Sequence, residues 1–169
     1  MATPKAVVSG ILGIIIGTLS AQSKTSTKIT LAVCDTLQTF PSFIYLIPVI
    51  MLFGVTDTSV LIAVVIYATI PATRYTIEGL RSVPAGLHDA ATMSGVTKFQ
   101  RLFKIEFPLA FPHMMLGLNQ TIVFALFMVI RGAFIGTEDL GQYILKALSD
   151  KNGAGIGLTL GICVGFIGL

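Results

Sequence analysis

Five apolar stretches set what this chain can fold into: residues 6–21, 29–55, 59–75, 109–130 and 153–169. Each is long enough, at about 1.5 Å per residue, to cross most or all of a hydrocarbon core about 30 Å thick. No water reaches the backbone there, so only helices or a closed barrel satisfy its polar groups. These runs lack the alternating pattern of barrel strands, and the reading is an all-α, polytopic integral membrane protein with about five transmembrane helices. Charged residues make up 11% of the chain and mean hydropathy is +0.88. A soluble domain carries about a quarter charged residues.

The runs carry their own punctuation. Gly10, Gly13 and Gly17 lie at i, i+3 and i+7 of the first, a small-residue stripe suited to close helix packing. Pro41 and Pro48 interrupt the second. A proline removes a backbone donor and crowds the preceding turn, so a helix is expected to Gln38, a bend at Phe40-Pro41, and a second piece to Phe53. Gly54 to Thr58 reads as a turn, and Ser59 to Tyr75 as the return crossing with Pro71 near its end. Leu109 to Ile130 is the next crossing, with Pro112 in its first turn.

The polar connections are Gln22–Lys28, Arg74–Glu106 and Arg131–Asn152. Lys24, Lys28, Arg74, Arg81, Lys98, Arg101 and Lys104 fall on one face of the membrane. Lys5, Arg131, Lys146 and Lys151 fall on the other. Seven basic residues against four place the long central connection in the cytoplasm. The net charge of +3 is scattered and gives no nucleic-acid surface. Cys34 and Cys163 sit in apolar runs as small hydrophobes.

The central connection has local structure of its own. Pro84 suits the first turn of a helix, and Leu87, Ala90, Ala91 and Ser94 share a small, weakly apolar face. Gly95 fits the left-handed residue that ends a helix. Thr97 and Gln100 then make a capping-box pattern for a second helix bearing Phe99, Leu102 and Phe103 on one side. Pro108 ends that helix or kinks it into the next crossing. Two short helices meeting at a glycine form a rigid elbow. An interfacial connector with no partner fits the same pattern.

The run Asp89-Ala90-Ala91, three residues, Gly95, nine residues, then Ile105-Glu106-Phe107-Pro108 resembles the cytoplasmic E-A-A…G…I-x-L-P loop of ABC importer permeases, with Asp89 and Phe107 at positions usually Glu and Leu. Leu37-Gln38-Thr39-Phe40-Pro41-Ser42-Phe43-Ile44-Tyr45-Leu46-Ile47-Pro48 resembles the L-Q-T-x-P-x-F-x-Y-L-x-P stretch of the branch that imports glycine betaine, proline betaine, choline and related osmoprotectants. Asn119-Gln120-Thr121 is similar to that branch too. The resemblance implies a type I importer fold: one permease domain over residues 1–169, cut short at one or both ends, with its coupling loop within residues 77–108. It implies a multi-pass protein of a prokaryotic inner membrane, set in membrane lipid. Its partners would be an ABC ATPase dimer docking on Asp89, Ala90, Ala91, Gly95, Ile105 and Pro108, an extracytoplasmic solute-binding protein, and a second permease copy. No cofactor is expected in this chain, ATP and Mg being bound by the ATPase.

No phosphate-binding G-x-x-x-x-G-K-[ST], catalytic triad or metal-ligand cluster is visible, so the chain reads as a pathway subunit and not an enzyme. His88 and His113 are the only histidines. A quaternary ammonium is held by aromatic faces. Phe40, Phe43 and Tyr45 around the proline bend, with Asn119 and Gln120 opposite, are the candidate solute pathway; Tyr67 and Tyr75 also flank it. Asp35, Gln38, Asn119 and Gln120 are polar groups that belong in a bundle interior or along a pathway. Arg74, Glu78 and Arg81, at i, i+4 and i+7, read as a solvated ion-pair ladder. Other readings are an ABC permease for another small solute such as an amino acid, an ATP-independent secondary carrier, and a non-transporting scaffold. The lack of a strong charge pair mid-span argues against the carrier.

Overall fold

The computed structural model describes residues 2–134, all helices and short turns. The connection beyond Phe134, Cys163 and the crossing expected at 153–169 lie outside the described residues. Seven helices follow in order: α1 (Ala2–Ala21), α2 (Lys24–Thr39), α3 (Phe43–Phe53), α4 (Asp57–Arg81), α5 (Ala85–Met93), α6 (Lys98–Arg101) and α7 (Phe107–Phe134). A π-helical turn, Leu102–Glu106, joins α6 to α7.

Helix α4 is the centre. Its Val60, Ala63, Val64, Ala68 and Ile77 are fully buried, enclosed by α1 on one side and α7 on the other. The glycine stripe of α1 makes the first contact possible. A methyl group on Gly13 would lie 2.3 Å from the Ala72 Cβ, and one on Gly17 would lie 2.7 Å from the Thr76 Cβ. Because 13 meets 72 and 17 meets 76, α1 and α4 run parallel. Gly79 packs on Ala110 and His113 while Gly117 packs on Tyr75, so α7 is antiparallel to α4. These directions put the α1–α2 turn and the residues 82–97 at the same end. Outward, Val8, Ile11, Ile15 and Leu19 of α1 stay exposed, the surface a lipid-immersed helix presents.

Helices α2 and α3 meet at 86° across Phe40–Ser42, the bend expected at Pro41. Pro48 lies inside α3 without breaking it. Helix α4 and the continuous helix Lys98–Gly132 are long and apolar enough to cross a membrane; α2 and α3 add a third crossing if counted as one bent span, and Lys5–Ala21 is a shorter apolar helix.

Four expectations shift. The connection expected from Gln22 to Lys28 shrinks to Gln22-Ser23, because α2 starts at Lys24 and the Thr27 hydroxyl donates to the Ser20 carbonyl at 2.9 Å, closing the turn. The central connection starts at Ser82 and not at Arg74: Thr76, Ile77 and Leu80 are buried, and packing carries α4 on to Arg81. Pro108 does not end its helix, which is continuous from Lys98 to Gly132. Its ring removes the bond to the Lys104 carbonyl, and the π-turn there replaces α bonding with i→i+5 bonding, Phe107 N–H donating to the Leu102 carbonyl. Pro112 consequently lies within a continuous helix and not in its first turn.

Candidate functional site: the capped elbow and the cleft above it

The elbow is fixed by its caps. Pro84 stands one residue before α5, as its cap residue. At the other end Gly95 has φ +69°, the left-handed conformation. Its N–H donates to the Thr92 carbonyl at 3.1 Å, and Val96 N–H donates to the Ala91 carbonyl at 3.2 Å. This pair of bonds is a Schellman closure, which consumes carbonyls the helix end would leave bare. Two residues later a reciprocal capping box starts α6: Gln100 N–H donates to Thr97 Oγ1 at 3.3 Å, and Thr97 N–H to Gln100 Oε1 at 3.1 Å. Only Gly95 and Val96 separate the two caps.

A carboxylate ties the two arms together. Glu106 Oε1 accepts from Arg101 Nε at 2.8 Å and lies 3.2 Å from His88 Nδ1 on α5. Its side chain is only 13% exposed. Arg101 and Glu106 are five apart, a spacing that the π-turn brings into register. The sequence reading left His88 without a role and gave Glu106 none.

The elbow turns Ala91 inward, 4% exposed, and leaves Asp89, Ala90 and Gly95 open to solvent. Met93 at 90% and Phe99 at 71% are exposed beside them. Ile105 is half-buried and Pro108 exposed. Such large apolar side chains on a polar connection mark a contact surface. Behind the elbow a cavity of about 620 Å³ separates it from the ends of α1 and α4, lined by Gln22, Lys24, Arg81, Lys98, Arg101 and Glu106 among others. The second arm is not a separate short helix as expected. It is the beginning of the helix that continues through α7.

Within the membrane the candidates separate into groups. Phe40 and Phe43 are exposed beside the bend. Tyr45 donates its hydroxyl to the Leu37 carbonyl, back across the bend, and its ring lies 5.4 Å from Tyr67, which stacks on Phe124 at 5.0 Å. Asn119 is exposed, whereas Gln120 is half-buried and lines a cleft of about 330 Å³ with Gln38, Arg74, Tyr75, Glu78 and Phe124. Arg74 Nε donates to Glu78 Oε1 at 2.9 Å, and Arg74 Nη1 donates to Asp35 Oδ1 on α2. Asp35, an isolated acid in an apolar run, thus pairs with Arg74 from another helix. Arg74 is seven residues from the end of α4, so the pair lies toward one end of the helix and not mid-span. Arg81 takes no part in that ion-pair set.

Apolar helices packed around one buried helix, with a capped elbow at one end, describe a membrane protein. The chain belongs to the family of binding-protein-dependent transport system inner membrane components, whose profile matches residues 10–169. It is similar to the trimethylamine N-oxide transport system permease protein TmoV of Pelagibacter ubique, 79% identical over 169 residues, which is 100% of this chain and 24% of that protein. TmoV of Ruegeria pomeroyi is 50% identical over 159 residues, 94% of this chain and 24% of the relative. The glycine betaine transport system permease protein OpuAB of Bacillus subtilis is 36% identical over 158 residues, 94% of this chain and 56% of the relative. The chain thus spans about a quarter of the length of the two TmoV relatives. In fold it matches an inward-facing structure of the MetNI methionine ABC transporter, with a TM-score of 0.76 at 19% identity over 98% of this chain and 87% of the other.

Proposed function

We propose that this chain forms the membrane pathway of an ATP-driven importer of small methylated amines. Trimethylamine N-oxide is the first candidate solute and glycine betaine the second. The observation that carries the reading is the elbow: a Schellman closure at Gly95 and a capping box at Thr97, back to back, presenting Asp89, Ala90 and Met93 to solvent. A surface that stiff can pass a displacement from an ATPase to the crossings on either side. The two TmoV relatives and OpuAB support the solute class by their names.

The chain itself performs no chemistry in this reading. ATP and Mg are bound and turned over by a separate ATPase dimer on the elbow. A solute-binding protein delivers from the other side, and a second permease copy completes the pathway. Lining would come from the bend and the facing helix, including Phe40, Phe43, Tyr45, Asn119 and Gln120. The test is reconstitution of the full-length protein with its ATPase and binding protein in liposomes. Import of labelled trimethylamine N-oxide that requires ATP supports the reading; import without ATP ends it.

A second reading, an ATP-independent carrier, gains one point from the Asp35–Arg74–Glu78 charge set, the kind of group that couples ions. Uptake driven by a proton or sodium gradient alone would favour it.

A further inference from the structure

The cleft between α2, α4 and α7 has walls of three kinds. Gln38 and Gln120 bring neutral amides. Arg74 brings a guanidinium held by Asp35 and Glu78. Tyr75 and Phe124 bring ring faces. Arg74 is seven residues from the elbow end of α4, about 10 Å at 1.5 Å per residue, and Gln38, Arg74, Tyr75 and Gln120 are each half-buried. Gly117 lets α7 approach there, because a methyl group on it would lie 2.7 Å from the Tyr75 Cβ.

We infer that this cleft is a solute site within the membrane, selective for a small dipolar molecule with an anionic oxygen at one end and a methylated ammonium at the other. The inference rests on the importer reading above and deepens it. A guanidinium has five N–H donors, and only one at Nε and one at Nη1 are engaged, leaving three for an oxyanion. The two glutamine amides add donors that can turn toward the same oxygen. Two carboxylates against one guanidinium leave one net negative charge, so a bare anion is repelled. A bare cation is attracted but leaves the half-buried amides and guanidinium donors unanswered. A dipolar solute answers both: its oxygen meets the donors, and its methylated nitrogen lies on the Tyr75 and Phe124 rings with Glu78 at hand. At about 330 Å³ the cleft holds a small solute and some water, and it excludes nothing by charge that a binding protein would deliver as a neutral dipole.

The test uses the full-length protein with its ATPase and binding protein in liposomes, with labelled trimethylamine N-oxide as the probe and solute imported per ATP hydrolysed as the readout. Gln120→Leu keeps the size of the side chain and removes the amide. Tyr75→Leu removes the ring, and Tyr75→Phe keeps it. Gln120→Leu and Tyr75→Leu should lower import per ATP by about ten-fold, with stimulation of the ATPase by the loaded binding protein retained. Tyr75→Phe should stay within about two-fold of the parent. Should either leucine variant fail to assemble, Gln38→Leu on the opposite wall decides in its place. Parental import per ATP in the leucine variants overturns the site, as does equal loss in Tyr75→Phe and Tyr75→Leu. Loss of ATPase stimulation together with import also overturns it, since the residues would then act on coupling. A parent complex that imports neither trimethylamine N-oxide nor glycine betaine removes the functional reading and this site with it.

Discussion

Glu106 accepts a hydrogen bond from Arg101 at 2.8 Å, and the bond spans the π-turn that links the elbow to α7, the longest helix among the described residues. The same carboxylate oxygen faces His88 on the other arm. The angle between the arms is therefore held by a side chain as well as by backbone caps.

Glu106→Gln should loosen that angle. The Arg101–Glu106 pair is partly shielded, so a double-mutant cycle with Arg101→Gln should return about 1 kcal/mol of coupling in thermal stability. Import per ATP should fall in the single variant while ATP hydrolysis persists. A coupling energy near zero would mean that the caps alone set the elbow.

Gly95 is strained for any other residue by conformation and not by space. Its φ is +69°, and nothing lies within 4 Å of an added methyl group. Gly95→Ala should cost about 1 kcal/mol and leave partial import. Gly95→Val, β-branched at positive φ, should abolish import with the protein still inserted in the membrane. Uptake and ATPase assays on the two variants check the order; equal, parental import in both would remove the elbow from the coupling step.

Gly13 and Gly86 should behave oppositely. A methyl group on Gly13 meets the Ala72 Cβ at 2.3 Å and the Thr69 carbonyl at 2.9 Å, both in α4. Gly13→Ala should destabilise by about 1–3 kcal/mol through overpacking. Gly86 is helical with nothing within 4 Å, and Gly86→Ala should be neutral or stabilise by up to about 1 kcal/mol. Melting curves of the two purified variants decide this, and a stable Gly13→Ala protein would contradict the α1–α4 interface.

Topology can be read with two cysteines in a background free of Cys34 and Cys163. Thr97→Cys on the elbow should label only from the cytoplasm, and Val55→Cys in the α3–α4 turn only from outside. Both positions are exposed, so access is set by the membrane. Labelling of Thr97→Cys from outside intact cells would invert the orientation.

Tyr45→Phe removes the bond to the Leu37 carbonyl that spans the α2–α3 bend. It should cost about 1 kcal/mol of stability. Phe43→Ala, at an exposed position beside the same bend, tests the pathway directly: loss of betaine import greater than loss of proline import marks a ring that meets the solute, and equal loss marks packing.

Local chemistry was legible in the sequence wherever neighbours in the chain decide the outcome. The bend at Pro41, the left-handed Gly95 and the Thr97–Gln100 box each depend on a few adjacent residues, and each stands where its residues put it. The glycine stripe of α1 gave a packing face without its partner. What stayed hidden is long-range. Asp35 and Arg74 are 39 residues apart, and no spacing rule joins them. Polar letters from Arg74 onward read as a loop, yet Thr76, Ile77, Gly79 and Leu80 there are buried against neighbouring helices, so α4 continues to Arg81. Pro108 signals a break that an i→i+5 turn absorbs, a backbone choice no single residue announces.

The absorbed break has a mechanical consequence. Lys98 to Gly132 is one helix of 35 residues, about 52 Å long at 1.5 Å per residue. A hydrocarbon core takes up about 30 Å of that, so roughly 20 Å stands clear of it. The lower arm of the elbow is thus not a joint but the handle of a lever, with the membrane surface as its fulcrum. If that helix moves as one body, a small swing at Lys98 reappears, reversed in direction, at the far leaflet.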